Sequence, residues 1–191
     1  ARPAIGRPEE KVVISDNPLA VALDNYHTIY RGLGTVEPEW PRAPVPDDPV
    51  RRTRDIKGGV YFLDASQCGI CKMPKNAWYK NIKPPSHTHV IVILQGFGRV
   101  PEEYNLAYSW IKSMESATAD LRSFEIAIAI AEYLQFMGYK SKAHDRTTGD
   151  VDLERLTVLA GLGLRSYDGI DNPYLGRAFG VSVVTLSLIH I

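Results

Sequence analysis

The sequence predicts a layered α/β domain, and three stretches carry that prediction. Residues 89–94 form an unbroken apolar run rich in Val and Ile, the pattern of a strand buried on both faces. Residues 121–137 are too long for a strand, and Arg122, Glu125, Glu132 and Gln135 recur on one face at helical spacing. Val181-Ser182-Val183-Val184-Thr185 again has strand character. Strands and helices that alternate along one chain pack as a sheet covered by helices, so a layered mixed sheet flanked by helices is expected.

The elements follow in order. A short helix is predicted over residues 19–31. Residues 37–49 contain Pro38, Pro41, Pro44, Pro46 and Pro49, which remove backbone donors and favour an extended strap. Asp48 followed by Pro49 starts a helix, which Gly58-Gly59 is expected to stop, leaving residues 60–63 as a short strand. Trp78 and Tyr79 fall in a loop or short helix, and Pro84-Pro85 interrupts the chain before the strand at 89–94. Asp120 stands ready to cap the long helix, and Gly138 supplies its left-handed end. Asp150 is expected to cap a second helix with Asp152 and Glu154 in its first turn, and Gly161 to end it.

The chain has 191 residues, 45% of them hydrophobic, enough for one domain with a core. The expected organisation is an N-terminal extension with the proline-rich strap over 1–49, the α/β domain over 50–185, and a tail over 186–191. Leu186-Ser187-Leu188-Ile189-His190-Ile191 is also what CTG-TCT-CTT-ATA-CAC-ATC encodes, a string that resembles a transposon end. The tail is therefore expected to be read-through, with the natural sequence stopping near Thr185.

Lys plus Arg and Asp plus Glu each number 22, and this neutrality argues against a nucleic-acid partner or a polybasic membrane contact. No apolar run reaches the length of a membrane span. Two cysteines make no disulfide framework, so the expected location is the cytoplasm.

Several residue groups have the types for chemistry. Cys68, Cys71, His87 and His89 are the ligand types of a zinc site, although the His spacing is short for a finger. His-x-His at a strand start puts both rings on one face. The competing reading makes the cysteines ordinary small loop residues. Gly161, Gly163 and Ser166 nearly match G-x-G-x-x-G, but they follow a helix, so the phosphate-cradle geometry fails. Trp40, Trp78 and Trp110 read as packing anchors. His144, Asp145, Arg146, Thr147 and Thr148 form a polar loop after a strand, either lining a ligand cleft or serving as a solvated connection.

The order of motifs over residues 117–185 carries a resemblance. A buried helix ends in Gly138-Tyr139, Ala143-His144-Asp145 follows, and a second helix closes in Ala160-Gly161-Leu162-Gly163. Then come Asn172-Pro173-Tyr174-Leu175-Gly176-Arg177-Ala178-Phe179 and the last strand. This order resembles the corrinoid-binding domain of reductive dehalogenases, and part of it is shared by epoxyqueuosine reductases. The likeness extends over roughly residues 45–185, with Val45-Pro46-Asp47-Asp48-Pro49 as the family's opening segment. Cys68-Gly69-Ile70-Cys71-Lys72-Met73-Pro74 stands where the family has a Gly-Ile-Gly-containing loop.

The resemblance implies a nitroreductase-like corrinoid-binding fold, truncated at its C-terminal end, with cobalamin in a cleft beside the sheet. It implies His144, Asp145, Arg146, Thr147, Thr148, Gly161, Gly163 and Asn172 as cofactor-binding positions. It also implies downstream corrinoid and iron–sulfur domains of the same polypeptide as partners. The closely spaced cysteines of a cluster module are absent from this sequence.

Two departures stand out. Counting back from Gly138-Tyr139, the family's proton-donating Tyr corresponds to Asp120, and its partner Lys corresponds to Gly180. Asp120 would then be the catalytic acid, if there is one. Three readings follow. The first is a vestigial or structural cobalamin-binding-type domain of a reductive dehalogenase-like protein. The second is an active corrinoid oxidoreductase domain with a substituted acid, and the third a zinc-stabilised binding module.

Overall fold

Helix α1 (Pro18–Gly32) opens the computed structural model, which describes residues 3–8, 17–33 and 41–187. Asn17 caps it by accepting from the Leu19 N–H, and Pro18 occupies the first turn, where a missing donor costs nothing. The expected helix at 19–31 is therefore present. Trp40 and residues 188–191, on which two of the expectations above fall, lie outside the described residues.

Helix α2 (Pro49–Phe62) starts as predicted, with Asp48 accepting from the Val50 N–H. It does not stop at Gly58-Gly59, and the short strand expected at 60–63 is its last turn. Helix–helix packing overrides the glycine signal here. Val60 is fully buried in the core, and a side chain on Gly59 would touch Ile130 of the long helix. The helix ends instead at Phe62, and Asp64 just beyond it is left-handed with a φ of 66°.

Strand β1 (Gln67–Lys72) replaces the loop expected around Cys68 and pairs antiparallel with β2 (His89–Gly96). After a short helix α3 (Tyr108–Lys112), the long helix α4 (Glu115–Phe136) runs to a left-handed Gly138, φ 78°. Strand β3 (Ser141–His144), helix α5 (Leu153–Leu159), the hairpin β4 (Leu164–Ser166) and β5 (Gly169–Asp171), and strand β6 (Phe179–Leu186) follow within the described residues. The cap of α5 is Asp152, which accepts from the Arg155 N–H, and not Asp150. Asp150 pairs instead with Arg7 and Lys142.

The main sheet has the order β1-β2-β6-β3, with every pairing antiparallel. Its two central strands are covered on both sides, so both sets of alternating side chains are apolar. Ile91, Ile93, Val184 and Leu186 face α4, meeting Phe124, Ala127, Ile128, Ala131 and Leu134. Val90, Val92, Val181 and Val183 face the other way, toward Trp78, Val151, Leu156 and Ile170. Each large side chain of α4 buried in this way contributes about 1.5–3 kcal/mol. The polar face expected on α4 is only partly realised. Gln135 is buried and donates to the Ser141 carbonyl at 3.0 Å, tying the helix to β3.

The strap (residues 41–48) lies across the end of α4. The Ala43 N–H donates to the Met137 carbonyl, and the Tyr139 hydroxyl to the Ala43 carbonyl at 3.1 Å. Gly138 has no space for a side chain, since a Cβ there would sit 2.8 Å from Arg42 Cα. Gly138→Ala is expected to cost about 1–3 kcal/mol, combining left-handed strain with the clash. Urea denaturation followed by circular dichroism measures it, and an unchanged midpoint would show that the strap yields freely.

Candidate functional site

The loop after β3 is built around two buried polar side chains. His144 accepts from the Asp150 N–H through Nδ1 at 3.2 Å, which leaves the neutral ring its proton on Nε2. That nitrogen faces Thr185 Oγ1 at 2.9 Å. His87 Nδ1 lies 2.8 Å from the same hydroxyl, and Trp78 packs edge-on to His144 with ring centroids 5.8 Å apart. Burial, then the nearby Lys142 charge, hold the His144 pKa well below the usual imidazole value.

Asp145 is saturated by its own loop. Oδ1 accepts from the Thr148 N–H at 2.8 Å and the Thr148 hydroxyl at 2.6 Å, and Oδ2 from the Thr147 hydroxyl at 2.6 Å. Arg31 of α1 reaches Oδ2 at 3.4 Å and also donates to Thr147. Burial raises this carboxyl, but the Thr147 and Thr148 hydrogen bonds and the Arg31 charge outweigh burial and hold its pKa below normal. The loop thus fastens α1 to the sheet. Its polar atoms are spent on the chain itself.

Asp120 does not cap α4. It sits inside the helix, past its first turn, and Oδ1 accepts from the Val181 N–H at 3.3 Å. Arg146 pairs with its other oxygen at 3.3 Å. Burial raises its pKa, while Arg146 and the Val181 N–H oppose that rise. Gly180 lies directly beneath. A Cβ on Gly180 would clash with the Ala119 carbonyl carbon and the Asp120 nitrogen, and would sit 2.5 Å from the Ala119 oxygen. The positions that the resemblance pairs as acid and lysine are therefore in backbone contact. The helix–strand approach is sealed further by Ser123 and Ser182, whose hydroxyls meet at 2.9 Å.

Gly161, Gly163 and Asn172 are at the opposite edge of the sheet from His144. Asn172 donates to Gln67 of β1 and to the Leu162 carbonyl, both at 2.6 Å, and accepts from the Tyr174 and Leu175 N–H groups. Gly161 ends α5 with φ 73°, as expected, and Gly163 is wedged against Ile170. The structure thus brings His144, Asp145, Arg146, Thr147 and Thr148 together at β3, near Asp120 through Arg146. It leaves Gly161, Gly163 and Asn172 at β1.

The zinc reading fails on geometry. Cys68 and Cys71 are three residues apart on β1, so Cys68 enters the core beneath α4 while Cys71 packs on the other face. His87 meets Thr185 and Trp78 on that other face, whereas His89 lies beneath the strap with Leu186, so the rings do not share a side. No three His, Cys, Asp or Glu side chains among the described residues are grouped to hold a metal ion. Burial pushes the Cys68 thiol up to about 11, which makes it inert at neutral pH. Trp78 is a packing anchor as expected, but Trp110 is half-exposed.

Two cavities flank α4. One, of about 420 Å³, lies between Asp64, Gln95 and Arg122, and the other, of about 210 Å³, lies under the strap. The residues missed in the sequence are Arg31 and Thr185, while His87 was read only as a candidate zinc ligand. Their signal was polar side chains interrupting apolar runs, Ser182 and Thr185 within β6 above all.

Solved structures provide the comparison. The catabolic reductive dehalogenase NpRdhA matches 97% of this chain at 34% identity with a TM-score of 0.83, and the chain spans 26% of that protein. Its complex with 3-bromo-4-hydroxybenzoic acid matches with a TM-score of 0.82. A reductive dehalogenase structure described as suggesting a mechanism for B12-dependent dehalogenation matches with a TM-score of 0.81. No protein-family model and no curated protein matches the chain.

Proposed function

We propose that this chain, which is similar over 97% of its length to about a quarter of a reductive dehalogenase, is a vestigial, structural copy of the corrinoid-binding unit. The observation that carries this reading is the contact between Gly180 and the Ala119–Asp120 backbone. A lysine at 180 has no path past the helix, and Asp120 is occupied by the Val181 N–H and Arg146. The residues present do not fit a corrinoid. Those that the resemblance assigns to it are divided between opposite sheet edges, and His144, Asp145 and Asn172 are bonded within the chain.

On this reading cobalamin and the iron–sulfur clusters belong to other parts of the same polypeptide, and this domain supports them by packing. The cytoplasm is the location we propose, because Cys68 and Cys71 are both free thiols, as expected in a reducing compartment. No helix among the described residues is long and apolar enough to cross a membrane.

The test is a titration of the purified chain with hydroxocobalamin, followed by visible absorption and by co-elution on gel filtration. The expected result is an unchanged cobalamin spectrum and no co-elution. Stoichiometric co-elution with a shifted spectrum overturns the structural reading. It would favour the second one, an active domain with Asp120 as acid, which the burial-raised Asp120 carboxyl supports. Asp120→Asn would then abolish reductive turnover while leaving cobalamin bound.

A further inference from the structure

Helix α1 is attached differently from the rest of the domain. None of its residues is buried, and it packs on α4 from outside. The His27 ring lies nearly parallel to Phe124 of α4, at 18° with centroids 6.0 Å apart. Asn17 donates to the Trp110 carbonyl at 3.2 Å, and Arg31 holds the Asp145 loop. A helix without a buried residue opens at low cost, well short of global unfolding.

His27 is the fastening that acid can undo. Its Nδ1 is buried and has no hydrogen-bond partner. A neutral ring tolerates that position, because the lone pair can face inward while the proton sits on Nε2. A protonated ring does not, since Nδ1 then becomes a buried donor with nothing to receive it. Burial lowers the His27 pKa, and the charges facing the ring do not reverse this. Asp145 of the β3 loop, Asp120 of α4 and Asp24 of α1 itself attract a cation there, while Arg31 repels it. Asp145 is already spent on Thr147, Thr148 and Arg31, and Asp120 on Arg146 and the Val181 N–H.

We propose that α1 is a pH-sensitive cover on α4, in which protonation of His27 releases the helix and bares Phe124 beside the Asp120–Arg146 pair while α4 and the sheet stay folded. The contribution of neutral His27 to docking is fully present above 6.5 and is lost as pH falls from there toward the folded value. The cover does not depend on the Asp120–Gly180 contact, so it stands whether or not the domain is vestigial.

Hydrogen exchange of the full chain at pH 7.5 and 5.5, read by mass spectrometry as protection relative to unstructured peptide, tests it. At both values α1 is expected to be at least about tenfold less protected than β2, as befits local opening. Between them, protection of α1 is expected to fall by about three- to tenfold, tenfold being the ceiling for one proton at one pH unit below 6.5. His27→Phe keeps a ring on Phe124 and is expected to abolish that fall. His144→Gln is expected to leave it in place, because His144 takes up its proton only when the sheet opens. The proposal is overturned if α1 is as protected as β2, if its protection does not fall, if the fall survives in His27→Phe, or if it disappears in His144→Gln. Should His27→Phe fail to fold, the comparison of the parent chain with His144→Gln decides alone.

Discussion

Lysine in place of Gly180 is expected to leave the domain unable to fold under conditions where the parent chain is stable. Even Gly180→Ala is expected to cost at least about 3 kcal/mol, the upper end for overpacking a closed interior. The cause is that the obstacle is backbone. A Cβ at 180 meets the carbonyl of Ala119, in the second turn of a helix held down by Phe124, Ile128 and Leu134. A side chain can rotate away from an intruder, whereas this helix can retreat only by losing the Ser123–Ser182 and Asp120–Val181 bonds. Soluble yield of the lysine variant and urea unfolding of the alanine variant measure the effect. A lysine variant that melts with the parent would show that α4 slides readily, and would remove the main support for the structural reading. If the expected result holds, the lysine that the resemblance pairs with position 180 cannot be restored by one substitution.

Acidification gives the second large effect. His144 is neutral when folded, with its pKa held below the 6.5 of the free imidazole, mainly by burial. A histidine depressed in this way contributes stability that is fully present above 6.5 and is lost as pH falls from there toward its folded value. The expected slope is about 1.4 kcal/mol per pH unit for the one proton involved. Asp145 acts lower. Its folded pKa lies under 3.8, so its contribution persists above 3.8 and is lost as pH falls through the folded value. Asp120 runs the other way. With a folded pKa above 3.8, its contribution is present below 3.8 and lost as pH rises through the folded value. Urea unfolding at a series of pH values from neutral to about 3 is expected to show falling stability. His144→Gln is expected to flatten the upper part of that fall, and Asp145→Asn the part below 4. An unaltered slope in His144→Gln would mean that His144 takes up its proton alike in the folded and unfolded chain.

The parts of the fold that could be read in the sequence were those with long-period signals. The doubly apolar run at 89–94 and the helix at 121–137 needed no neighbour to declare themselves. The Asp48-Pro49 start follows local capping chemistry, which depends on adjacent residues alone. What was misread depended on tertiary packing. Gly58-Gly59 carries a stop signal, but Val60 is pulled into the core and α2 continues. Cys68 sits in a short stretch whose strand character comes only from pairing with β2. Among the candidate site residues, sequence order grouped Asn172 with His144, yet the sheet order carries them to opposite edges. Asp120 and Gly180 stood out as two separate anomalies. They are one contact, and nothing in a linear string connects residues so far apart.

The sheet order also dictates when this domain can form during synthesis. Strand β6 is the last to be made, yet it lies between β2 and β3 and covers the inner edge of both. Until residues 179–186 leave the ribosome, β3 has no partner and β2 has only β1. The apolar face of α4 has no strand β6 to cover. Folding must therefore wait for nearly the whole stretch to emerge, and its closing step joins segments distant in sequence, which makes it slow. In a longer polypeptide that interval is when nascent β2 and α4 are most open to chaperones or to mispairing with a following domain.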